Sequence, residues 1–533
     1  MSLDFSRTRL QLFKHQKEDV EWLIDQPFAF ISSEMRTGKS AIVITAVQFM
    51  FEAGLVNRAI VIAPSPVRGV WFDPEMGEIA KHSWEGAPAN VSQFHDKVKS
   101  WIWGDPRGKA RLDWWVTNYE FVRSKARLQQ LLGLCGPKTI LILDESSFIK
   151  NYKSQQAKAC MTLRKQCGRV VLLNGTPISH SPMDLFSQGN ILHPKILDCS
   201  HITHYKARYA LMKPVLSKGG KVLLDPFGRK IETVAGWQHL DDLQRRFAPY
   251  TVRRLQKDCL DLPPKLDPVI LSATLTPETW RMYKAMRDEM VVWLKSGVAT
   301  ARQAAVKVMR LRQITSGILG GLEDEPVQQQ LNVGLGVNGE VLDFEPAEER
   351  PPLAVTTIEI GREKLDVLLW FIGQRLEADP NFRVVVWSVF RLELERITKA
   401  VAEAYPQFAM GVMMGGQSSD DRTAAMKLLH PDTTPGGPVF VGGIYGTGSF
   451  GLNFTAAHTS INCSFDYSLG RNLQAKDRVY GPGQTQPVAY FDIVATGPAG
   501  QKTIDHVIVA ARLRNENIAD FTTAGWVKLL TDE

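Results

Sequence analysis

The sequence has no apolar run long enough to cross a membrane. A spanning helix needs about 20 consecutive apolar residues, and no stretch of the 533 residues approaches that length. The opening segment, MSLDFSRTRLQLFKHQ, also lacks the apolar core of a secretory signal. We therefore expect a soluble, cytoplasmic protein with no membrane partner.

Cysteine is scarce and scattered. The chain has six cysteines and none of them forms a C-x-x-C pair: Cys135, Cys160, Cys167, Cys199, Cys259 and Cys463. This spacing argues against both a structural zinc site and a disulfide framework. We expect free thiols in a reducing compartment.

A large excess of charge of one sign is also missing. The chain has 63 basic and 56 acidic residues, for a net charge of +7. Such a mild excess is compatible with a nucleic-acid partner but does not require one. The composition is that of a globular protein, with 44% hydrophobic residues and no internal repeat. A chain of this length exceeds a single core, so we expect about two to four domains.

The first two hundred residues alternate short β-rich runs with amphipathic segments. Buried strands are predicted at 28–32, 58–64, 114–120, 138–145 and 169–177. This alternation predicts a mostly parallel sheet that helices cover on both faces. Ligands of such sheets bind beyond the carboxyl ends of the strands, so the residues that follow each strand are the candidates for a site.

The pattern changes after residue 200 and later returns. Residues 201–317 predict a helical insertion rich in Arg and Lys, and residues 318–356, acidic and rich in Gly and Pro, predict a linker or hairpin. Strand–helix alternation resumes in 357–533, with strands predicted at 383–389, 408–414, 438–444, 459–465 and 487–495. The sequence therefore predicts an α/β protein with two parallel-sheet lobes, 1–200 and 357–533.

Thr37-Gly38-Lys39-Ser40 follows the first predicted strand and opens a helix. Backbone N–H groups and the helix dipole favour phosphate at such a position. In a phosphate loop, Lys39 would reach the β and γ phosphates and the Ser40 hydroxyl would bind magnesium. Ser33 stands where the first glycine of that motif belongs, so on these residues alone an ordinary turn is an equal alternative.

Two further strand ends carry polar residues. Asp144-Glu145 ends the aliphatic run LILDE, where an aspartate can hold magnesium and a glutamate can activate an attacking water. A pair of solvated acids is the alternative, and a preceding phosphate loop makes it less favoured. Gly175-Thr176-Pro177 ends the next strand; Thr176 is a candidate contact to the γ-phosphate or to a bound strand, although on these residues alone an ordinary turn is the better explanation.

Several segments, taken in order, resemble the motifs of superfamily-two helicases: LFKHQKEDVEWL, SEMRTGKS, APSPVRGVWFDPE, DESSFIKN and NGTPISHSPMDLFSQ. Their details resemble the Swi/Snf branch of double-stranded DNA translocases, in its compact bacterial and phage form. YTVRRLQKDCLDLPPK is similar to the segment that links the lobes in that branch, and GTGSFGLNFTAA and LQAKDRVYGPGQTQPVAYFDIV resemble motifs of its second lobe. The resemblance extends from about residue 10 to about residue 510, and Ser33 is no objection because the family often replaces that glycine.

The resemblance implies two RecA-like lobes that bind ATP and Mg²⁺ and hydrolyse ATP. Glu145 would activate water and Arg478 of the second lobe would neutralise the γ-phosphate, while Ser40 and Asp144 would hold the metal. The implied ATP-binding residues are Gln16 (adenine), Thr37, Gly38, Lys39, Ser40, Asp144, Gly451 and Gln474. The implied coupling or DNA-contact residues are Thr176, Asn453, Arg253 and Arg254. Lys257, Arg310 and Arg312 are further candidates for DNA-side charges, and solvated helix faces explain such basic residues equally well.

The sequence departs from the family pattern at two places. Where the family carries a second arginine, as D-R-x-x-R-x-G-Q, this chain has Gly481. Either Arg478 or the nearby Arg471 covers that role, or the ATPase is weak or depends on a partner. In addition, Asp-Glu-Ser-Ser replaces the commoner Asp-Glu-Ala-His, which keeps both carboxylates.

The resemblance predicts a DNA-stimulated ATPase that moves along or remodels duplex DNA through sequence-independent backbone contacts. Two alternatives stay open: a strand-separating DNA or RNA helicase, and a nucleotide-gated DNA-binding subunit with little or no turnover. We expect the protein to work in the cytoplasm of a bacterium or of a phage-infected host. A protein partner for targeting is also open.

Overall fold

The computed structural model describes residues 3–75, 77–84, 89–95, 98–103, 111–175, 182–215, 221–225, 228–296, 301–320, 358–448 and 453–514. The chain forms two compact units, Met1–Asp261 and Leu262–Glu533. The division falls within the region predicted as a helical insertion. The predicted linker, 318–356, lies outside the described residues apart from its first three positions.

The first unit is built on an eight-stranded sheet in the order β10-β1-β7-β6-β2-β5-β3-β4. Neighbouring strands are parallel except for the antiparallel pair β3–β4. Its strands are β1 (Phe28–Ile31), β2 (Arg58–Ala63), β3 (Ala89–His95), β4 (Val98–Trp103), β5 (Leu112–Asn118), β6 (Thr139–Leu143), β7 (Arg169–Leu173) and β10 (Thr251–Val252). The central strand β6 is buried at every position, as expected of a parallel sheet that is covered on both faces.

Eleven helices among the described residues of this unit join and cover the strands. They are α1 (Lys14–Asp25), α2 (Lys39–Glu52), α3 (Arg68–Phe72), α4 (Glu78–His82), α5 (Lys125–Leu132), α6 (Gln155–Arg164), α7 (Asp184–Leu192), α8 (Pro194–Leu197), α9 (Ile202–Tyr209), α10 (Leu240–Phe247) and α11 (Gln256–Cys259). Helix α2 is apolar on all sides, and residues 41–50 are all buried. This helix therefore forms part of the core, and its first residue is fixed in place beside the sheet.

A two-stranded antiparallel hairpin interrupts the helices of the first unit. It consists of β8 (Ala210–Pro214) and β9 (Glu232–Trp237) and lies between α9 and α10. The sequence predicted only helices here. The flanking segments have helical spacing, and the prediction extends that helix across the stretch between them. The Lys, Pro and Gly residues of this stretch favour a turn, so they give no signal of a buried strand.

The second unit has a six-stranded parallel sheet in the order β11-β18-β17-β14-β16-β15. Its strands are β11 (Val269–Thr274), β14 (Arg383–Ser388), β15 (Ala409–Met413), β16 (Val439–Ile444), β17 (Thr459–Asn462) and β18 (Ala489–Thr496), and β12 (Ile318–Leu319) pairs with β13 (Ile358–Glu359). Its helices are α12 (Pro277–Ser296), α13 (Ala301–Thr315), α14 (Glu363–Ala378), α15 (Arg391–Ala404), α16 (Ser419–Leu428), α17 (Tyr445–Gly448), α18 (Leu469–Val479) and α19 (Ile504–Leu513). The predicted fold class, α/β with two largely parallel sheets, is confirmed.

One of the predicted DNA-side charges is buried in the second unit. Arg312 on α13 is 2% exposed, donates to the Phe465 carbonyl oxygen, and lies 4.0 Å from the centre of the Tyr467 ring. The prediction that Arg312 faces DNA is wrong. Its guanidinium instead holds α13 to the segment that follows β17, because a buried cation needs acceptors and aromatic faces in place of water.

Candidate nucleotide site

The phosphate loop joins the end of β1 to the start of α2. Gly38 caps the helix with a φ of 84°, which glycine adopts without strain. A Cβ at this position would lie 2.0 Å from Nε2 of Gln16. The backbone angle therefore favours glycine at position 38, and a larger residue there would displace the end of the Gln16 side chain.

Two side chains of α1 brace this loop. The Gln16 amide donates to the Thr37 carbonyl oxygen at 3.1 Å and accepts from the Phe13 N–H at 3.0 Å. The His15 ring nitrogen Nε2 donates to the same Thr37 carbonyl at 2.9 Å. The adenine-reading role of Gln16 stays a prediction, since in this conformation the amide bonds to the loop itself.

Lys39 folds back over the loop. Its ammonium donates to the Ser33 carbonyl at 2.9 Å and to the Glu34 carbonyl at 3.0 Å. The two carbonyl oxygens accept hydrogen bonds from the ammonium group of Lys39. Phosphate oxygens would take over these hydrogen bonds in a nucleotide complex. The arrangement is that of a preformed anion site whose lysine is already directed into the loop.

Ser33, which stands in the position of the missing glycine, is fully buried and has a structural partner. Its hydroxyl accepts from the Arg254 N–H at 3.0 Å. The Glu34 carboxylate next to it accepts from the Gln256 N–H at 2.8 Å. The serine thus ties the phosphate loop to the segment that follows β10, a role that a glycine could not fill.

Arg254 anchors the same segment through its side chain. Its guanidinium pairs with the buried Asp19 at 2.6 Å and with Glu18 at 3.1 Å. Burial raises the pKa of Asp19, and the Arg254 hydrogen bond opposes that rise. This pairing favours a coupling role for Arg254 over DNA contact, whereas Arg253 is exposed and stays a candidate for DNA contact. The role of Asp19 was missed, although it shares the buried face of α1 with Val20.

Asp144 lies directly after β6, where its carboxylate is held on both oxygens. The Trp71 indole N–H donates to Oδ2 at 2.8 Å and the Glu145 N–H donates to Oδ1 at 3.0 Å. Burial raises the pKa of Asp144, and the Trp71 hydrogen bond and the Lys39 charge oppose that rise. Strands β1 and β6 are parallel members of one sheet with β7 between them, so the loop after β1 and Asp144 after β6 lie at the same, carboxyl edge of that sheet.

Glu145 has a left-handed backbone, with φ of 50°, which is uncommon for a residue with a Cβ. The next residue, Ser146, is fully buried and donates its hydroxyl to Oε1 of Gln188 on α7 at 2.6 Å. Gln188 in turn donates to the Asp184 carbonyl at 2.9 Å. The turn that carries the predicted water-activating acid is therefore joined to α7 by a contact that the sequence motifs do not indicate.

The donor set at this edge fits a hard divalent cation. The Ser40 hydroxyl stands at the start of α2, and each oxygen of the Asp144 carboxylate accepts a hydrogen bond and has a further lone pair that can bind a cation. Magnesium prefers oxygen donors of this kind, with water and phosphate completing its shell. The assignment of Ser40 and Asp144 as magnesium ligands stays a prediction, and both side chains supply the oxygen donors that it requires.

In the second unit, α18 carries the predicted arginine finger. Arg478 is 8% exposed, and its Nε–H donates to the Gln474 carbonyl at 3.1 Å. Within the described part of the chain no donor reaches the buried side-chain oxygen of Gln474. Asn453 accepts from the Thr455 hydroxyl at 3.0 Å. The other two predicted residues, Gly451 and Thr176, lie outside the described residues.

The position that departs from the family pattern is buried. Gly481 is buried and its carbonyl accepts from the Gln484 N–H at 3.0 Å. The Gln484 side chain donates to the carbonyls of Ala457 and Val479, both at 2.9 Å, so it serves the fold. Arg471, the other arginine considered for the missing role, pairs with Asp466 at 3.3 Å.

Comparison with known proteins gives one family and several distant relatives. The model of the SNF2-related domain matches residues 15–317. The chain is 23% identical to the TATA-binding protein-associated factor mot1 of Schizosaccharomyces pombe over 97% of this chain and 27% of that protein. It is 23% identical to the probable ATP-dependent DNA helicase CHR12 of Arabidopsis thaliana over 91% of this chain and 40% of that protein. It is 26% identical to the human TATA-binding protein-associated factor 172 over 96% of this chain and 28% of that protein. The chain thus spans less than half the length of these three relatives.

Among solved structures, the Sulfolobus solfataricus SWI2/SNF2 ATPase core in complex with dsDNA aligns with a TM-score of 0.40 at 19% identity, over 100% of this chain and 97% of that one. Within the described residues, no helix combines the length and the apolar character that membrane crossing requires.

The family match covers more than half of the 533 residues and includes the phosphate loop, Asp144-Glu145 and the segment around Arg254. This chain is a member of the SNF2-related domain family.

Proposed function

We propose that this chain is the motor core of an ATP-dependent translocase or remodeller of double-stranded DNA. The observation that carries the proposal is the geometry of the first sheet: β1, which leads into the loop of Lys39, and β6, which ends at Asp144, are parallel strands with β7 between them. A phosphate-binding lysine and a carboxylate at the same edge of a sheet are parts that nucleoside-triphosphate hydrolysis needs.

The first unit binds and positions the nucleotide. Lys39 exchanges its bonds to the two loop carbonyls for phosphate oxygens, and the N–H groups at the start of α2 hold the same anion. Ser40 and Asp144 hold Mg²⁺, which neutralises phosphate charge when bound. Glu145 accepts a proton from the attacking water, and its left-handed backbone fixes the direction of the carboxylate.

The second unit completes the reaction. Arg478 neutralises charge on the γ-phosphate in the transition state, an effect that can be worth roughly 10³ to 10⁵ in rate. The Gln474 oxygen accepts from the nucleotide, which would satisfy a buried acceptor that has no donor within the described residues. Gly451, Asn453 and Thr176 couple nucleotide binding to DNA.

The DNA partner is proposed from the family and from the segment that links the lobes in related motors. One relative is named as a probable ATP-dependent DNA helicase, and two others are named as factors associated with a DNA-binding protein. The exposed Arg253 is the basic residue of the linking segment that we assign to the DNA backbone. We also propose a cytoplasmic location and a protein partner that contributes to targeting.

A second candidate function is a nucleotide-gated DNA-binding subunit with little turnover. The observation that favours it is the buried Gly481 at the second arginine position, together with the Asp466 partner that engages Arg471. Under this alternative ATP would control the affinity for DNA without being hydrolysed at a useful rate.

Two measurements on the purified chain separate the candidates. Binding of a fluorescent ATP analogue tests the nucleotide site, with Lys39→Ala as the matched blank, and phosphate release in the presence of duplex DNA tests turnover. The motor predicts both binding and DNA-stimulated release. Binding without release supports the gated subunit, and a wild-type chain that binds no better than Lys39→Ala contradicts both.

A further inference from the structure

The hairpin between α9 and α10 continues beyond β8 and β9. The Val215 N–H donates to the Ile231 carbonyl at 2.8 Å, and the Ile231 N–H donates to the Leu223 carbonyl at 2.9 Å. The chain reverses at Asp225, whose carbonyl accepts from the Gly228 N–H at 3.0 Å. The described part of the segment 210–237 is therefore a hydrogen-bonded ribbon.

The base of this ribbon lies near the carboxyl edge of the first sheet. Helix α9 ends at Tyr209, where the ribbon begins. One turn earlier on this helix, the Tyr205 hydroxyl donates to the Pro182 carbonyl at 2.6 Å. Pro182 belongs to the connection that follows β7, and such connections leave the sheet at its ligand edge. The Tyr209 hydroxyl donates to Asp242 on α10 at 2.8 Å, which holds the two ends of the ribbon together. The ribbon thus starts on the side of the unit that carries the nucleotide site.

The ribbon exposes large apolar side chains. Leu211 is 48% exposed and Leu224 is 57% exposed, and Val222 and Leu223 between them are 38% and 36% exposed. Val222, Leu223 and Leu224 are thus three consecutive exposed apolar residues in the described part of the ribbon, and both faces of the ribbon carry apolar surface. A cluster of exposed apolar side chains of this kind can mark an interaction site.

Basic residues surround this apolar surface. Lys213, Lys221, Arg229 and Lys230 are all exposed, against the two acidic residues Asp225 and Glu232. Asp225 is engaged in the turn, since its carboxylate accepts from the Arg229 N–H at 2.9 Å and lies 3.5 Å from the guanidinium. The outer surface of the ribbon is therefore positively charged around an apolar centre.

We propose that the described part of this ribbon, residues 210–215, 221–225 and 228–237, docks in a groove of duplex DNA, with its lysines on the phosphates and its leucines against the bases. The inference rests on the proposed function and adds a second DNA contact, separate from the ATP site. A groove of DNA accepts a two-stranded ribbon, and apolar side chains placed between basic ones are a common means of gripping bases without reading sequence. Positive charge beside an apolar centre selects DNA over a neutral or basic protein partner.

Two ribbon variants test the two kinds of contact separately. Leu224→Ser removes apolar contact and should weaken duplex affinity about fivefold, in keeping with burial of half a leucine side chain, without changing the dependence on salt. Lys230→Gln removes one phosphate contact and should lower the slope of log K against log salt by about 0.9. Both side chains are exposed, so both variants should fold and keep the ATP turnover measured without DNA.

Matched controls come from the same unit. Leu55→Ser changes a leucine that is 42% exposed just beyond α2. Lys165→Gln changes an exposed lysine at the end of α6, next to Arg164, whose guanidinium lies 5.4 Å from the ring of Phe28 at the start of β1. That contact places Lys165 at the opposite edge of the sheet. Neither control should alter DNA affinity or its salt dependence.

The binding assay uses the full chain and a labelled duplex over a series of salt concentrations, and analytical ultracentrifugation is run on the same samples. The ribbon proposal is overturned if the wild type binds duplex and both ribbon variants match it, or if the controls weaken binding as much as the ribbon variants do. A change in sedimentation without a change in DNA affinity would assign the ribbon to contact between copies of this chain and also overturns the proposal. If the wild type binds no duplex at all, the proposed function fails with it.

Discussion

The buried contact between Ser146 and Gln188 supports the acid that we assign to water activation. Ser146 follows Glu145 directly, and its hydroxyl is the donor that joins this strained turn to α7 at 2.6 Å. Both side chains are 0% exposed, so no water replaces a lost partner. Removing the hydroxyl with Ser146→Ala leaves the Gln188 oxygen without that donor.

The expected magnitude follows from the cost of an unsatisfied buried group. Ser146→Ala should lower the free energy of unfolding by about 1–3 kcal/mol, because the variant loses a buried hydrogen bond and no water takes the place of the hydroxyl. Gln188→Met should cost a similar amount, since it strands the Ser146 hydroxyl. The double variant replaces both partners with apolar groups of similar shape. Its loss of unfolding free energy should be smaller than the sum of the losses of the two single variants, and the difference is a coupling energy of about 1–2 kcal/mol.

The same cycle has a catalytic readout. If the hydrogen bond fixes Glu145, Ser146→Ala should lower kcat about tenfold, the equivalent of about 1.4 kcal/mol, and leave the KM for ATP nearly unchanged. A general loosening of the unit would change both constants.

The assay is urea unfolding of the four proteins of the cycle, monitored by fluorescence, and the free energy of unfolding is taken from the first transition. ATP turnover is measured on the same preparations. Strictly additive changes in unfolding free energy would refute the coupling. An unchanged kcat in a destabilised Ser146→Ala variant would show that the contact supports the fold and not the acid.

Three further predictions concern single positions. Trp71→Phe removes the indole donor to Asp144 and should raise the Mg²⁺ concentration for half-maximal turnover severalfold, since hydrogen bonds to charged groups are worth about 1.5–3 kcal/mol; an unchanged Mg²⁺ titration would refute the positioning role. Gly481→Arg should raise the maximal ATPase rate severalfold if the finger is weakened, and an equal rate in a correctly folded variant would remove that interpretation. Burial lowers the pKa of Lys476 to about 8, helped by the nearby charges of Lys265 and Arg512. Because the unfolded lysine keeps its proton until about pH 10.4, wild-type stability should rise between these pH values relative to Lys476→Met, and parallel stability curves would contradict the shift.

Buried parallel strands are the part of this fold that the sequence predicts best. Every strand predicted in the two lobes coincides with an observed one, because each contains an apolar run, such as ILIL in β6 and VVLL in β7, that polar residues bound. The strands that were missed lack this signal. In β11, for example, Val269 and Ile270 are about half exposed at the edge of the second sheet, so its pattern differs from that of a buried strand.

The residues of the nucleotide site were predicted from local motifs, and their supports were not. Lys39, Asp144 and Glu145 stand at strand ends, where position along the chain suffices to find them. The Trp71–Asp144 and Ser146–Gln188 hydrogen bonds join residues that are far apart in sequence, and one chain alone gives no pairing information. The same limit explains the two arginines: Arg254 has its partner on α1, and Arg312 has its partners beyond β17.

The most direct test of the central claim is ATP turnover by the purified chain with duplex DNA, single-stranded DNA, RNA or no polymer, and with Lys39→Ala as the blank. We predict strong stimulation by duplex DNA and none in the blank, which would also show that Arg478 suffices without a second arginine. Turnover that stays at the level of the blank with every polymer, or that RNA alone stimulates, would contradict the account.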